Sequence, residues 1–115
     1  MDERQTRRAK NESLFREVNE RVEEVTTGLQ AVRFDEDEGF LIGFVCECGQ
    51  EDCAEQLEVR HAQYESVRSD PRRFLVLPGH ENAEIELVVE RHQKFWVVQK
   101  VGEAADIAIE RDPRS

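Results

Sequence analysis

Every cysteine of the chain lies in Cys46-Glu47-Cys48-Gly49-Gln50-Glu51-Asp52-Cys53, three thiols within eight residues. A C-x-C-x4-C loop this tight limits the fold around it, because three adjacent sulfurs must share a metal, oxidise, or be packed away as thiols. Three thiols cannot all pair as disulfides. The start of the chain has no secretory apolar run, so the expected compartment is reducing and cytoplasmic. A tetrahedral zinc site completed by one further ligand, most simply a histidine, fits the pattern. Gly49 gives the backbone freedom that a loop folded round a metal needs. The neighbouring carboxylates Glu47, Glu51 and Asp52 are expected to favour a divalent cation and to raise the thiol pKa values in its absence. Metal binding and local folding are then coupled. Two plainer readings stand beside this one. Cys46 and Cys48 alternate on a strand end with Cys53 incidental, or two of the thiols form a redox pair. The second is disfavoured by the spacing and by acidic surroundings that oppose a thiolate.

The fourth ligand is sought among His61, His80 and His92. His80 stands in Pro78-Gly79-His80-Glu81, directly after an apolar run of strand length, where a proline-glycine turn sets its direction. His61 opens a short helix and is expected to cap it. His92 lies between Arg91 and Gln93 in a polar connection and reads as solvated. His80 is the favoured ligand, with the other histidines, a carboxylate or water as alternatives. The expected metal set is thus Cys46, Cys48, Cys53 and His80, binding Zn2+ in a zinc-knuckle-like loop.

A chain of 115 residues with 38% apolar and 37% charged residues has a modest core, which gains from a structural metal. The formal net charge of -10 opposes phosphate backbones and anionic lipid, so nucleic acid is a disfavoured partner. No apolar run is long enough to span a bilayer. Residues 1–10, with Arg4, Arg7, Arg8 and Lys10, read as a flexible N-terminus, residues 11–110 as one domain, and residues 111–115 as a loose tail.

The strongest periodicity is Phe15, Val18, Val22, Val25 and Leu29, an a/d-like stripe on a helix over residues 11–27, with Gly28 as its stop. The stripe is expected to pack on the domain's own sheet, with a homodimer through Phe15, Val18, Val22 and Val25 as the other outcome. An acidic turn, Asp35-Glu36-Asp37-Glu38-Gly39, leads into a strand over residues 40–45. A second strand over 56–59 forms a hairpin with it, closed by the cysteine loop. Residues 61–69 read as a short helix ended by Asp70-Pro71. Strands follow over 74–77, 85–89 and 95–98, and a last helix over 103–109. The fold class is α+β: an N-terminal amphipathic helix, a mostly antiparallel sheet of about five short strands, and short middle and C-terminal helices.

Several stretches also carry a family resemblance. They are Phe44-Val45-Cys46-Glu47-Cys48-Gly49 with Cys53, Tyr64-Glu65 with Val67-Arg68, Asp70-Pro71 with Arg73-Phe74, and Pro78-Gly79-His80-Glu81. Val88-Val89-Glu90-Arg91, Val97-Val98, Gly102-Glu103 and Asn19-Glu20-Arg21 complete the set. Together, over about residues 11–113, the chain resembles a small uncharacterised family of bacterial proteins frequent in actinobacteria. The resemblance implies no activity. It places the three cysteines and His80 inside the family's motif.

No G-x-S-x-G, P-loop or H-E-x-x-H element is present, and Cys46-Glu47-Cys48 does not reproduce the H-x-E and P-C-x-x-C pairing of the zinc deaminases. The functional expectation is therefore a zinc-binding protein-interaction or regulatory module with a structural metal. A metal-dependent or thiol-redox enzyme is the alternative. Strand alternation sends one of Phe95 and Trp96 inward, and an exposed Trp96 would anchor a partner. Arg68, Arg72 and Arg73 are expected to pair with the protein's own acidic groups.

Overall fold

A long helix α1 (Glu3–Gln30) precedes a β-hairpin, β1 (Leu41–Val45) and β2 (Gln56–Arg60), and a short helix α2 (His61–Arg68). Three strands follow, β3 (Arg73–Val76), β4 (Glu86–Arg91) and β5 (Trp96–Lys100), and then α3 (Gly102–Glu110). The structure is a computed structural model that describes residues 1–30 and 41–114. The expected acidic turn Asp35-Glu36-Asp37-Glu38-Gly39, Phe40 and the side chain of Leu29 lie outside the described residues. The chain has the expected α+β architecture, with its strands divided between two antiparallel sheets, β1-β2 and β3-β5-β4. Among the described residues no helix is long and apolar enough to cross a membrane.

Alternation builds the hairpin. Ile42 and Phe44 point inward from β1, and the register sets them opposite Val59 and Leu57, so four apolar side chains share one face. In the second sheet β5 is central, and its Val97 and Val98 are fully buried. Phe74, Leu75 and Val76 of the outer strand β3 are buried as well. The reason is that the cysteine loop runs along the free edge of β3. The Glu47 N–H donates to the Leu75 carbonyl at 3.0 Å, and the Leu75 N–H donates to Glu47 Oε1 at 3.0 Å. One acidic residue thus joins the two sheets and covers a strand edge that would otherwise be open. The pairing of β4 with β5 slips by one residue between Val88 and Glu90, a bulge on the opposite edge. Phe44 stacks on Tyr64 with ring centroids 4.2 Å apart, which ties α2 to the hairpin.

The apolar stripe of α1 plays its expected role only in part, through Val22, which packs against the core. Val18 and Val25 are exposed, at 41% and 55%, as is Leu14 at 53%, while Phe15 and Val22 are half-buried. The face turned inward carries Gln5, Ala9, Glu12, Ser13, Arg16 and Asn19 instead. This face stays buried because Gln5, Glu12, Arg16 and Asn19 meet polar groups of other elements. Arg16 donates to the carbonyls of Pro71 and Ala108 at 2.6 and 2.7 Å, with its guanidinium 4.4 Å from the Phe74 ring centroid. Glu12 pairs with Lys100 at 2.5 Å, and Lys100 also pairs with Glu86. Asn19 accepts from the Val45 N–H and donates to the Val45 carbonyl, both at 2.9 Å, extending the edge of β1. Without such partners each buried group would cost several kcal/mol, on the order of 2–7 for a neutral amide.

Both chain ends differ from expectation. The stretch 1–10, read as flexible, is helical from Glu3, with Gln5 and Ala9 buried and Asn82 donating to Gln5 at 2.8 Å. The helix also continues past Gly28 to Gln30. In the tail read as loose, Asp112 is buried in an ion pair with Arg68, and Arg114 reaches Glu20 at 2.6 Å and Glu65 at 2.8 Å. Arg72 and Arg73 pair with Asp70, so the expected pairing of this basic group within the chain is seen. Phe95 is the inward member of its pair, and Trp96 is half-buried beneath Arg91, whose guanidinium lies 5.0 Å from the ring centroid.

Candidate metal centre

The cysteine loop leaves β1 at Cys46 and returns to β2 after Cys53. The Cys46 N–H donates to the Glu55 carbonyl at 3.0 Å and closes its base, and the Cys53 N–H donates to the Gln50 carbonyl at 3.1 Å, turning the chain back. Gly49 has φ +76° at the point where the loop meets α1. A β-carbon there would stand 2.5 Å from Glu12 Cγ and 2.8 Å from the Arg8 carbonyl oxygen, so only glycine fits. Arg8 donates from Nε to the Cys48 carbonyl at 2.9 Å and locks the loop from the helix side.

His80 arrives from the other sheet. Leu77-Pro78-Gly79-His80 is a tight turn in which the His80 N–H donates to the Leu77 carbonyl at 3.0 Å. Proline at the second position and glycine with φ +86° at the third are the signature of a type II turn. The turn directs the imidazole at the loop. Its Nδ1 lies 3.7 Å from the sulfur of Cys46 and 3.7 Å from that of Cys53. The four ligand atoms of Cys46, Cys48, Cys53 and His80 all lie within 4.8 Å of one another. A tetrahedral ion with bonds of about 2.3 Å to sulfur and about 2.0 Å to nitrogen has sulfur–nitrogen edges of about 3.6 Å. The cluster therefore has the size to hold a metal ion. Cys46 and Cys48 are buried, and Cys53 and His80 are half-buried.

Backbone donors converge on the sulfurs. The Leu77 N–H reaches Cys46 Sγ at 3.3 Å, and the backbone of Gln50 and of Glu55 hydrogen-bonds Cys48 and Cys53. Such bonds favour the thiolate that a metal requires. The sulfurs also act on one another. The thiol of Cys46 donates to Cys48, which draws Cys48 down to about 4 and pushes Cys46 well up, while burial raises Cys53. A metal entering the cluster must displace the protons that remain.

The loop carboxylates do not play the part expected of them. Glu47 points away from the sulfurs into the core, where it accepts from Asn19 Nδ2 at 2.7 Å and from the Leu75 N–H. Burial pushes its carboxyl up to about 7. Glu51 and Asp52 are exposed on the outside of the loop. The other two histidines go elsewhere. His61 is the first residue of α2 and lies 2.9 Å from Glu23 Oε2, and His92 lies 2.8 Å from Glu90 Oε1 and stacks on Phe95.

Sequence reasoning missed the side chains that hold the loop from behind, Arg8, Glu12 and Asn19. A signal for them was present. Glu12, Arg16, Asn19 and Glu23 recur at spacings of four, three and four, a polar stripe out of phase with the apolar one. No protein-family model, no curated protein and no solved structure matches this chain.

Proposed function

We propose that the protein is a zinc-stapled interaction module, in which the metal at Cys46, Cys48, Cys53 and His80 is structural and α1 presents the binding face. A set of three thiolates and one imidazole suits zinc, and four protein ligands fill a tetrahedron with no position over for water or substrate. The interaction role is carried by one observation: α1 is seated by its polar face and leaves Leu14, Val18 and Val25 exposed. A shallow groove of about 440 Å3 runs there between Val18, Arg21, Val22, Val25 and Thr26. Apolar residues on successive turns of a helix form the surface by which helices pack on helices. The favoured partner is a protein, and the simplest is a second copy pairing through the helix that bears Phe15, Val18, Val22 and Val25. A regulatory or adaptor role follows from such a surface.

The purified protein is expected to contain about one zinc per chain, with Cys48→Ser lowering that content and the unfolding temperature. Absence of metal, together with three freely titrating thiols in the folded protein, sinks the zinc assignment. Sedimentation tests the surface: Val18→Asp combined with Val25→Asp should abolish a concentration-dependent dimer while zinc content and circular dichroism are unchanged. A double variant that sediments as the parent does at every concentration overturns self-pairing.

A further inference from the structure

A second set of ligand atoms converges where side chains of α1 and α2 meet, outside the cysteine centre. Glu23 comes from α1, while His61 and Glu65 come from α2 at i and i+4 and so share one face of that helix. One nitrogen and two carboxylate oxygens from these three residues all lie within 4.8 Å of one another. The imidazole Nε2 is 2.9 Å from Glu23 Oε2. All three residues are half-buried, and Glu23 and Glu65 line a cleft of about 780 Å3 with Glu17, Glu20, Glu24 and Arg114.

The cleft already recruits a cation. The guanidinium of Arg114, arriving from the far end of the chain, lies 2.6 Å from Glu20 Oε1, 3.2 Å from Glu23 Oε1 and 2.8 Å from Glu65 Oε2. Together with Arg68, 3.2 Å from Glu20 Oε2, it offsets the mutual repulsion of carboxylates that the two helices hold close together. A divalent ion would meet the same need with a higher charge density and with direct bonds to the imidazole. Three N/O protein ligands, two of them lining the cleft, are one short of a closed tetrahedron and so form an open site. Each set has one imidazole, but two carboxylates here replace the three thiolates of the cysteine centre, so the two sites are chemically distinct.

We infer that Glu23, His61 and Glu65 form a second divalent-metal site, for which the Arg114 guanidinium competes. The ion binds His61 through its imidazole and the two glutamates through carboxylate oxygens, and Arg114 withdraws as it enters. The site does not depend on the interaction surface proposed above, and it needs no change at the cysteines.

The test is calorimetric titration with Zn2+ of the full chain whose cysteine centre has been loaded with one equivalent beforehand. A second equivalent should bind, and His61→Ala should abolish it while the first equivalent is retained. Arg114→Ala should tighten the second site about tenfold, the scale set by losing a competing surface ion-pair network. Binding of the second equivalent to Arg114→Ala alone also supports the site, with the arginine as the stronger competitor in the parent chain. Glu65→Gln serves as the check if His61→Ala unfolds. The proposal is overturned if neither the parent nor Arg114→Ala takes a second equivalent at millimolar Zn2+. It is equally overturned if a second equivalent survives both His61→Ala and Glu65→Gln.

Discussion

Glu12, Lys100 and Glu86 put two carboxylates on one ammonium in the core, with Arg8 3.9 Å from Glu12 at the rim. One buried cation cannot offset two buried anions, so a proton on one carboxyl is favoured near neutrality. Burial outweighs the Lys100 charge and raises Glu12 from its ordinary 4.5 to about 7. A carboxyl raised in this way holds its proton more tightly in the folded chain than in the unfolded one. Its contribution to stability is therefore greatest below the unfolded value of 4.5 and falls as the pH climbs toward about 7. Urea denaturation of Glu12→Gln at a series of pH values should show a shallower loss of stability across that window. The change in slope approaches ~1.4 kcal/mol per pH unit at its steepest. Parallel profiles for the variant and the parent would mean that Glu12 stays ionised throughout.

At the scale of the element, α1 shows what helical periodicity can and cannot convey. The 3.6-residue repeat sorts side chains onto faces, and the stripe it marks straddles a boundary: Val22 packs against the core while Val18 and Val25 are exposed. It does not say which face is inside. That choice went to the polar face because Arg16, Asn19 and Glu12 each find a partner on a different strand or helix. Arg16 bridges two backbone carbonyls, of Pro71 and Ala108, that no other described side chain is seen to serve. Arg16→Leu keeps the volume over Phe74 and removes those donors. It should cost roughly 2–4 kcal/mol of unfolding free energy, read by guanidinium denaturation. A loss below about 1 kcal/mol would show that water replaces the guanidinium at little cost. The strands were easier to read: β1, β2 and β5 lie within a residue or two of expectation, because short apolar runs bounded by glycine, proline and charge carry their own limits.

For the molecule as a whole, the cysteine loop is both the candidate metal centre and the ledge on which α1 sits. Arg8 holds the Cys48 carbonyl, Asn19 holds Val45 and Glu47, and Gly49 passes beneath Glu12. Glu47 in turn binds β3. With the proposed zinc removed by a chelator, hydrogen exchange should quicken first in the loop and in residues 8–19 of α1. The central strand β5, which touches none of the four ligands through its own hydrogen-bond ladder, should keep its protection. Uniform quickening through every element, or none at all, would show that the loop and the helix are not coupled in this way.

The sequence by itself determined the α+β class and the order of its strands and short helices, and it favoured His80 as the neighbour of the three cysteines. Those readings rest on local chemistry: alternation, turn residues, and thiols crowded into one loop beside a Pro-Gly turn that aims a histidine. Only the tertiary structure decided that Val18 and Val25 of the α1 stripe face solvent, that Glu47 turns inward to join two sheets, and that both chain ends are pinned. These depend on partners such as Arg16 with Ala108, Arg68 with Asp112, and Glu12 with Lys100, which are distant in the chain. A polar side chain is inside or outside according to whether another element satisfies it, and no local pattern records where that element will lie.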